Sequence, residues 1–166
     1  MPPYDWSSFT KRITIKAKPH DIYRAFATQA GLEKWFLRLA EFTKPDLSHR
    51  GKDYQVQKGD TYHWLWFGYT DDVNENGKIL EANGKDLLQF SFSGGSIVTV
   101  HIYTELTHVV AELKQEHIAL TEESKVNYHL GCSTGWSFYL ANLKSLLEGG
   151  IDLRNKDEAI SDVVNS

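Results

Sequence analysis

The stretch that decides the fold is the run from Lys125 to Gly150, KVNYHLGCSTGWSFYLANLKSLLEGG. Its apolar side chains recur at intervals of three or four residues, which is the spacing of one face of an α-helix. That face is formed by Cys132, Trp136, Leu140, Leu143 and Leu147. Gly149 and Gly150 follow directly, and glycine commonly ends a helix. The stretch therefore predicts one long helix with an apolar side that needs a partner surface.

Two glycines interrupt the middle of this predicted helix. Gly131 and Gly135 lie one turn apart beside the apolar face, and each costs about 1 kcal/mol relative to alanine in a helix interior. Positions without a side chain either let another backbone approach closely or leave a hole. In a chain rich in strands, this pattern predicts a sheet that grips the helix, with a cavity between the two.

The first part of the chain predicts a strand and two short helices. Residues 9–17 alternate apolar and polar side chains, as a half-buried strand does. Pro19 suits a first helical turn, and the apolar residues that follow favour a short amphipathic helix. A second short helix is predicted from about Gln29 to Phe36. Residues 43–53 are polar and contain proline and glycine, so a loop is expected there.

The middle of the chain predicts strands at hairpin spacing. Asn83-Gly84 is a strong hairpin signal, and residues 71–77, DDVNENG, are typical of a turn or bulge. The predicted strands are 54–57, 60–67, 78–82, 87–92, 96–106 and 107–118. With a helix at the end, this order predicts an α+β domain in which an antiparallel sheet carries helices on one face.

Length and composition narrow the class of protein. A chain of 166 residues is expected to form one domain. A net charge of -4 and a pI near 6.0 give no basic footprint for nucleic acid. No apolar run reaches the roughly 18 residues of a membrane span, and MPPYDWSSF does not resemble a signal peptide. A single cysteine, Cys132, makes no internal disulfide and is expected to be an inert core thiol. These features together favour the cytoplasm.

No strong catalytic motif and no metal or cofactor motif occurs in the sequence, so no catalytic residue, metal ligand or cofactor is predicted. His101 and His117 fall on neighbouring predicted strands and could approach one another. They are expected to be polar positions in a mixed wall or on the surface, with metal binding or proton sharing as the alternative. Gln115 and His117 continue an inward-facing apolar series on the last strand. A buried polar group needs a hydrogen-bond partner, which can be a side chain, water or a ligand.

The functional prediction is an apolar pocket with a few placed polar groups, the usual form of a small-molecule site. Core filling is the alternative role for each aromatic residue in it. The predicted ligand-binding residues are Trp35, Trp64, Trp66, Phe90, Phe92, His101, Tyr103, Gln115, His117, Gly131, Gly135, Trp136 and Tyr139.

Two separated stretches resemble a known superfamily. KPHDIYRAFATQAGLEKWF, residues 18–36, resembles the opening of helix-grip domains, which include START-like lipid-transfer domains, plant allergen-like proteins and polyketide cyclases. The matching positions are Pro19, Ile22, Phe26, Thr28, Leu32 and Trp35. GWSFYLANLKSLLEGG, residues 135–150, resembles the last helix of the branch similar to the C-terminal domain of the activator of the heat shock protein 90 ATPase.

The resemblance implies a curved antiparallel sheet of six or seven strands wrapped around the last helix, with a cavity between them. It implies a domain at residues 9–150, preceded by a lead-in at 1–8 and followed by a polar tail at 151–166. Members of the superfamily bind lipids, hormones or aromatic polyketides, and some are enzymes, so the fold alone does not fix the function.

Three hypotheses of function follow. The first is a binding protein, without a cofactor, for a small hydrophobic or aromatic molecule. The second is a cyclase, dehydratase or hydrolase that uses His101, His117 or Tyr103 as a general acid or base. The third is an interaction module that contacts a chaperone or forms a homodimer through residues 43–53 or 151–166.

Overall fold

The computed structural model describes residues 1–164 and contains seven strands that form one antiparallel sheet in the order β1-β7-β6-β5-β4-β3-β2. The strands are β1 (Phe9–Thr14), β2 (Leu39–Thr43), β3 (Thr61–Leu65), β4 (Asn74–Ala82), β5 (Leu87–Phe92), β6 (Ser96–Glu105) and β7 (His108–Glu116). The helices are α1 (Pro19–Ala27), α2 (Gln29–Trp35), α3 (Glu122–Ser124) and α4 (Cys132–Leu147), with a π-helix at Lys125–Gly131 between α3 and α4. This architecture confirms the predicted α+β class and the sheet of six or seven strands.

The C-terminal helix, defined here as α3, the π-helix and α4 together, confirms the long helix predicted from residue spacing. Trp136, Leu140 and Leu143 are buried against the sheet. The helix ends as predicted, because Gly149 adopts a positive φ of 84° that suits glycine. The core lies between this helix and the inner face of the sheet, so the apolar side of the helix packs against the sheet.

The two short helices also agree with the sequence. Pro19 opens α1, where its missing N–H leaves no hydrogen bond unmade. Thr28 caps α2, because its hydroxyl oxygen accepts a hydrogen bond from the Gly31 N–H at 2.9 Å. The Trp35 indole N–H donates to the carbonyl oxygen of Ala25 at 2.9 Å, which fastens α2 to α1.

The strand predicted at residues 54–57 is wrong. This segment lies in the long connection between β2 and β3, and the backbone N–H of Val56 donates to the carbonyl oxygen of Ala27 instead of to a strand. A buried ion pair between Arg50 and Asp60 organises the connection, and Asp60 is 0% exposed. One oxygen of the Asp60 carboxylate also accepts the Gln57 N–H at 2.9 Å.

The turn predicted at residues 71–77 is also wrong over its second half. Residues 74–77 begin β4 and pair with β3, so tertiary pairing overrides the turn preference of asparagine and glycine. Gly77 is required there because the ring of Tyr62 crosses it and a Cβ atom would collide with that ring. The strand β2 was not predicted from the sequence.

The polar appendage predicted from residue 151 docks onto the domain at its start. Arg154 is 7% exposed and pairs with Asp152 at 2.8 Å, while Asn142 of α4 donates to Asp152 at 3.0 Å. The Arg154 guanidinium also donates to the backbone carbonyl oxygens of Glu33, Lys34 and Leu37. Residues 152–154 are therefore part of the packed domain. The last two residues of the predicted tail, 165 and 166, lie outside the described residues.

The hydrogen bonds at this docking point determine the protonation of Asp152. Burial by itself raises the pKa of Asp152, but the hydrogen bonds from Arg154, Lys156 and Asn142 outweigh that effect. The pKa is therefore held well below the usual range of a carboxyl group, so Asp152 stays ionised in the folded chain at ordinary pH.

The N-terminal segment packs against the C-terminal helix from the opposite side. Tyr4 Oη lies 2.9 Å from His129 Nε2, and His129 Nδ1 lies 3.0 Å from the carbonyl oxygen of Trp6. Because a carbonyl oxygen only accepts hydrogen bonds, Nδ1 of His129 carries a proton and donates a hydrogen bond to the carbonyl oxygen of Trp6.

None of the helices in residues 1–164 has the length and apolar character that a membrane crossing needs.

Candidate functional site

A cleft of about 690 Å³ lies between the C-terminal helix and the β3–β5 side of the sheet, and it opens to solvent. Aromatic rings form its walls. Phe36 follows α2 and packs with ring centroids 4.8 Å from Trp136 and 5.0 Å from Tyr139, both on α4. Phe92, at the end of β5, lies 5.5 Å from Trp136, and Trp66 lies 5.8 Å from Phe36. Helix, sheet and loop thus each contribute an aromatic side chain to one concave surface.

The two helix glycines lie beside this cleft. Gly131 is exposed and Gly135 is half-buried, and both line the opening. A Cβ atom at Gly135 would meet no other atom within 4 Å. Gly135 therefore leaves open space beside the helix, and no other backbone approaches it closely.

The π-helix shapes the rim of the cleft. A π-helix forms i→i+5 hydrogen bonds and holds more residues per turn than an α-helix, and such segments are frequent at functional sites. Here it brings Asn127, Leu130 and Gly131 to the rim. On its other side, His129 is buried against the N-terminal segment. The π-helix therefore contacts the N-terminal segment through His129 and borders the cleft through Asn127, Leu130 and Gly131.

Gln115 is 0% exposed and does not line the cleft, and both its amide oxygen and its amide nitrogen take part in a side-chain network. The Trp136 indole N–H donates to Gln115 Oε1 at 3.0 Å, and Gln115 Nε2 donates to Ser96 Oγ at 3.0 Å. Ser96 Oγ then donates to the carbonyl oxygen of Ser93 at 2.7 Å. The partner that a buried glutamine requires is thus another side chain, and the network links α4 to β7 and β6.

Glu75 is the main residue of the cleft that sequence reasoning missed. It lies on β4 opposite Trp64, it is half-buried, and Ser93 Oγ donates to its Oε2 at 2.6 Å. Burial raises the pKa of Glu75, and the hydrogen bond from Ser93 lowers it in part. The residue was hidden in a segment predicted as a solvated turn. Once Ile79 is known to be buried, the two-residue alternation of β4 places Glu75 on the same inner face.

Two further groups in the cleft have altered acidity. Burial raises the pKa of the Cys132 thiol, an effect that the Gln115 hydrogen bond reduces and the Glu75 charge reinforces. Cys132, predicted as an inert core thiol, is half-buried: it packs against the core on one side and borders the cleft on the other. Burial and the neighbouring Tyr69 raise the pKa of Tyr139 to about 12, with a smaller opposing effect of Arg154.

The structure places three of the predicted site residues outside the cleft, on the surface. His101 and Tyr103 point to the outer face of the sheet, because β6 buries Val98, Val100 and Ile102 on the inner face. The Tyr103 hydroxyl donates to Glu112 at 2.9 Å, so it belongs to a surface network. His117 is exposed just beyond β7 with a positive φ of 61°, where the chain leaves the alternation that would have turned it inward.

The two histidines also do not approach one another. His101 pairs with Glu112 on β7, and His117 lies five residues further along the chain. At about 3.3 Å per residue, this separates them by about 16 Å along the strand direction. Among residues 1–164, no group of three or more histidine, cysteine, aspartate or glutamate side chains is arranged to hold a metal ion.

The remaining predicted residues divide between core and cleft. Trp35, Trp64 and Phe90 are buried in the core and do not border the opening. The predicted residues that line the cleft are Trp66, Phe92, Gly131, Gly135, Trp136 and Tyr139. Sequence reasoning missed Phe36, Tyr69 and Val73 as cleft residues, since only the tertiary fold brings the end of α2 and the loop after β3 against the C-terminal helix.

A curved antiparallel sheet that wraps a C-terminal helix and leaves a cleft between them defines a START-like helix-grip domain. The chain belongs to the family described as Activator of Hsp90 ATPase homolog 1-like protein, whose sequence profile matches residues 16–148. A comparison with curated protein sequences gives no match.

Solved structures share this fold at low sequence identity. The Aha1 dimer from Colwellia psychrerythraea is 21% identical with a TM-score of 0.64, over 86% of this chain and 97% of that one. Protein SSP2350 from Staphylococcus saprophyticus is 17% identical with a TM-score of 0.67, over 89% and 96% of the two chains. DynU16, a protein in the dynemicin biosynthetic locus, is 12% identical with a TM-score of 0.65, over 90% of this chain and 50% of that one. At these identities the likeness shows the fold alone.

Proposed function

We propose that this protein binds a small hydrophobic or aromatic molecule in the cleft between the sheet and the C-terminal helix. The observation that carries the proposal is the aromatic-walled opening of about 690 Å³ beside Gly135. Small-molecule sites in proteins usually measure about 300–1,000 Å³ and combine apolar walls with a few polar groups. Each 100 Å² of apolar surface that a ligand removes from water contributes about 2.5 kcal/mol to binding.

The three residues suggested as a general acid or base for an enzyme do not line the cleft. A general acid or base must come within hydrogen-bond distance of the substrate. His101 and Tyr103 face away from the cleft on the outer side of the sheet, and His117 is exposed beyond β7. We therefore favour binding over a cyclase-like or dehydratase-like activity, and the fold shared with DynU16 does not change this preference.

Self-association is the second candidate function. The similar structure from Colwellia psychrerythraea is described as a dimer, and this chain exposes apolar side chains on its C-terminal helix. Val126 is 58% exposed and Leu130 is 48% exposed on the C-terminal helix. A homodimer that covers these residues is the form of association we propose. A chaperone contact rests on the family description alone.

The test of ligand binding fills the cleft from the helix side. In Gly135→Leu, the new side chain occupies the empty space, and loss of a mid-helix glycine favours the helix by about 1 kcal/mol. We expect titration with the neutral fluorophore N-phenylnaphthylamine to give saturable binding for the wild type and at least about tenfold weaker binding for Gly135→Leu, since the leucine displaces the probe. The melting temperature of the variant should not fall.

The matched control is Ser137→Leu, which adds the same side chain on the exposed side of the same helix. It should bind the fluorophore as the wild type does. Native mass spectrometry of protein purified without extraction complements the titration, because a retained apolar molecule would reveal the chemical class of ligand. Equal binding by Gly135→Leu and the wild type would refute the placement of the site.

A further inference from the structure

Glu75 is the one charged side chain among the described residues that line the cleft. It is half-buried on β4, while the other lining residues are apolar, aromatic or uncharged polar ones. A carboxylate in such surroundings loses hydration that it would have in water, and this loss is unfavourable unless a partner compensates for it. The question is therefore which group in the protein supplies that partner.

Within residues 1–164, no lysine, arginine or histidine forms an ion pair with Glu75. Its hydrogen bond comes from Ser93, a neutral donor, and reaches only Oε2. Burial raises the pKa of Glu75 by more than this hydrogen bond lowers it, as expected for a carboxyl group that lacks a cation. The protein thus leaves the carboxylate only partly compensated.

The arginines in the neighbouring elements are engaged elsewhere. Arg38 forms an ion pair with Asp71, and its Nε donates to the carbonyl oxygen of Trp66 at 3.2 Å. Arg154 pairs with Asp152 at 2.8 Å and is 7% exposed. Neither arginine lines the cleft, so neither can receive an anionic ligand there without breaking its own contacts.

The aromatic walls of the cleft also favour a positively charged ligand. The faces of tryptophan, tyrosine and phenylalanine rings attract cations, and clusters of such rings are the usual recognition site for substituted ammonium groups. Trp66, Phe92 and Trp136 line the cleft together with Glu75. An unpaired carboxylate and several aromatic rings therefore face the same space.

Resting on the proposed function, we infer that the cleft prefers a protonated amine carried on an aromatic or apolar body. The ammonium group donates to the Glu75 carboxylate, and the body packs against Trp66, Phe92 and Trp136. The same arrangement disfavours fatty acids and other anionic ligands, because they would bring a second negative charge beside an unpaired one.

Three naphthalene derivatives test this preference, one with an aminomethyl, one with a hydroxymethyl and one with a carboxylate group. They share one apolar body and differ in charge. By isothermal titration calorimetry at neutral pH, we expect the amine to bind about tenfold more tightly than the alcohol, since the ammonium adds an attraction between opposite charges to the hydrogen bond that either group can donate to Glu75. The carboxylate should bind most weakly.

The variant Glu75→Gln removes the charge and keeps the shape and the acceptor for Ser93. It should bind the amine and the alcohol with affinities within about twofold of each other, because the attraction between opposite charges is lost while both groups can still donate a hydrogen bond to the amide oxygen. The control Glu81→Gln makes the same change in net charge at an exposed position on the same strand and should keep the tenfold preference. It separates the local carboxylate from the overall negative charge of the chain.

The outcomes distinguish this inference from the proposal on which it rests. Equal binding of amine and alcohol by the wild type would overturn the amine preference and leave the binding site in place. An amine preference that persists in Glu75→Gln would overturn the role of Glu75. If the wild type binds none of the three compounds and does not bind N-phenylnaphthylamine, the proposed function fails, and the inference fails with it.

Discussion

Cys132 is a thiol that borders an aromatic cleft and lies close enough to a carboxylate for its acidity to be affected. Burial and the charge of Glu75 both raise its pKa, and the hydrogen bond with Gln115 only reduces the effect. The reactive form of cysteine is the thiolate, so a raised pKa keeps the side chain unreactive at neutral pH. Because Cys132 is the single cysteine of the chain, its reaction rate reports on this one place.

We predict that iodoacetamide modifies Cys132 at pH 7.5 at least about tenfold more slowly than a free thiol with a pKa of about 8.5. The rate should rise at a higher pH than it does for the free thiol, because the thiolate forms only as pH passes the raised pKa. Naphthylmethylamine at saturation should slow the reaction further by covering the thiol. Mass spectrometry of timed samples measures the rates.

The same chain unfolded in guanidinium chloride is the control for this reaction and should react as a free thiol. A folded-state rate equal to the unfolded one, unchanged by the amine, would contradict both the burial of the thiol and its place in the cleft.

At the scale of elements, the buried network of Gln115 joins the C-terminal helix to the sheet. It links Trp136 on α4 through Gln115 on β7 to Ser96 on β6. A buried indole N–H that loses its acceptor costs about 1–3 kcal/mol, whereas removal of both partners costs less than the two single changes together. Substitutions in this network therefore test how strongly it anchors the C-terminal helix to the sheet.

We predict that Gln115→Leu lowers the free energy of unfolding by about 2 kcal/mol, because it leaves the Trp136 N–H without a partner. In a Trp136→Phe background the same substitution should cost at least about 1 kcal/mol less. Urea unfolding followed by circular dichroism measures the four proteins of the cycle. Gln89→Leu is the matched control, since that glutamine bonds to Thr99 Oγ1 in a partly exposed pair.

The comparison of these elements with the sequence shows which signals are local. The C-terminal helix was predictable because its apolar spacing lies within one stretch, and α1 and α2 carried their own start signals. The first half of β4 was not predictable, because asparagine and glycine favour a turn until β3 pairs with them. Gly77 in particular suggests a turn in the sequence, and only the ring of Tyr62 explains it.

Part of the cleft was predictable because several of its lining residues lie within the one stretch that forms the C-terminal helix. The helix residues that line it, such as Gly135, Trp136 and Tyr139, follow from helical spacing. Glu75 and His101 required knowledge of which side of a strand faces the core, and strand alternation by itself leaves the two sides equivalent. Segments brought from elsewhere in the chain, such as the loop with Tyr69, carry no local signal of their position.

At the scale of the whole molecule, a segment near each end of the described chain contacts the domain. The N-terminal segment contacts His129 on the C-terminal helix, and residues 152–154 bind to α2 and α4. Beyond this docking point the chain turns toward the cleft, where Val164 forms part of the lining. The C-terminal segment thus has a part that stabilises the fold and a part that borders the site.

Two truncations separate these parts. Removal of residues 151–166 should lower the free energy of unfolding by about 2–4 kcal/mol, because it takes away the buried Arg154 and leaves carbonyl oxygens of α2 unpaired. Removal of residues 157–166 keeps the docking point and should leave that free energy within about 0.5 kcal/mol of the wild type. Urea unfolding measures both variants.

The shorter deletion also tests the cleft. Without Val164 the opening is wider, so N-phenylnaphthylamine should associate faster by stopped-flow fluorescence. Equal stability of the two truncated chains would contradict the docking role of Arg154, and an unchanged association rate would place Val164 away from the path of the ligand.

The π-helix gives this molecule a place where the lining of the cleft can change while α4 stays where it is. One residue of an α-helix corresponds to a rotation of about 100°. Loss of Gly131, at the end of this segment, would restore α-helical turns and rotate the residues before it, which would move Asn127 and Leu130 relative to the rim. The same rotation would move His129 out of its contacts with the N-terminal segment. Trp136 and the buried residues after it would keep their places. A one-residue deletion here would therefore change the lining of the cleft and the anchoring of the N-terminal segment together.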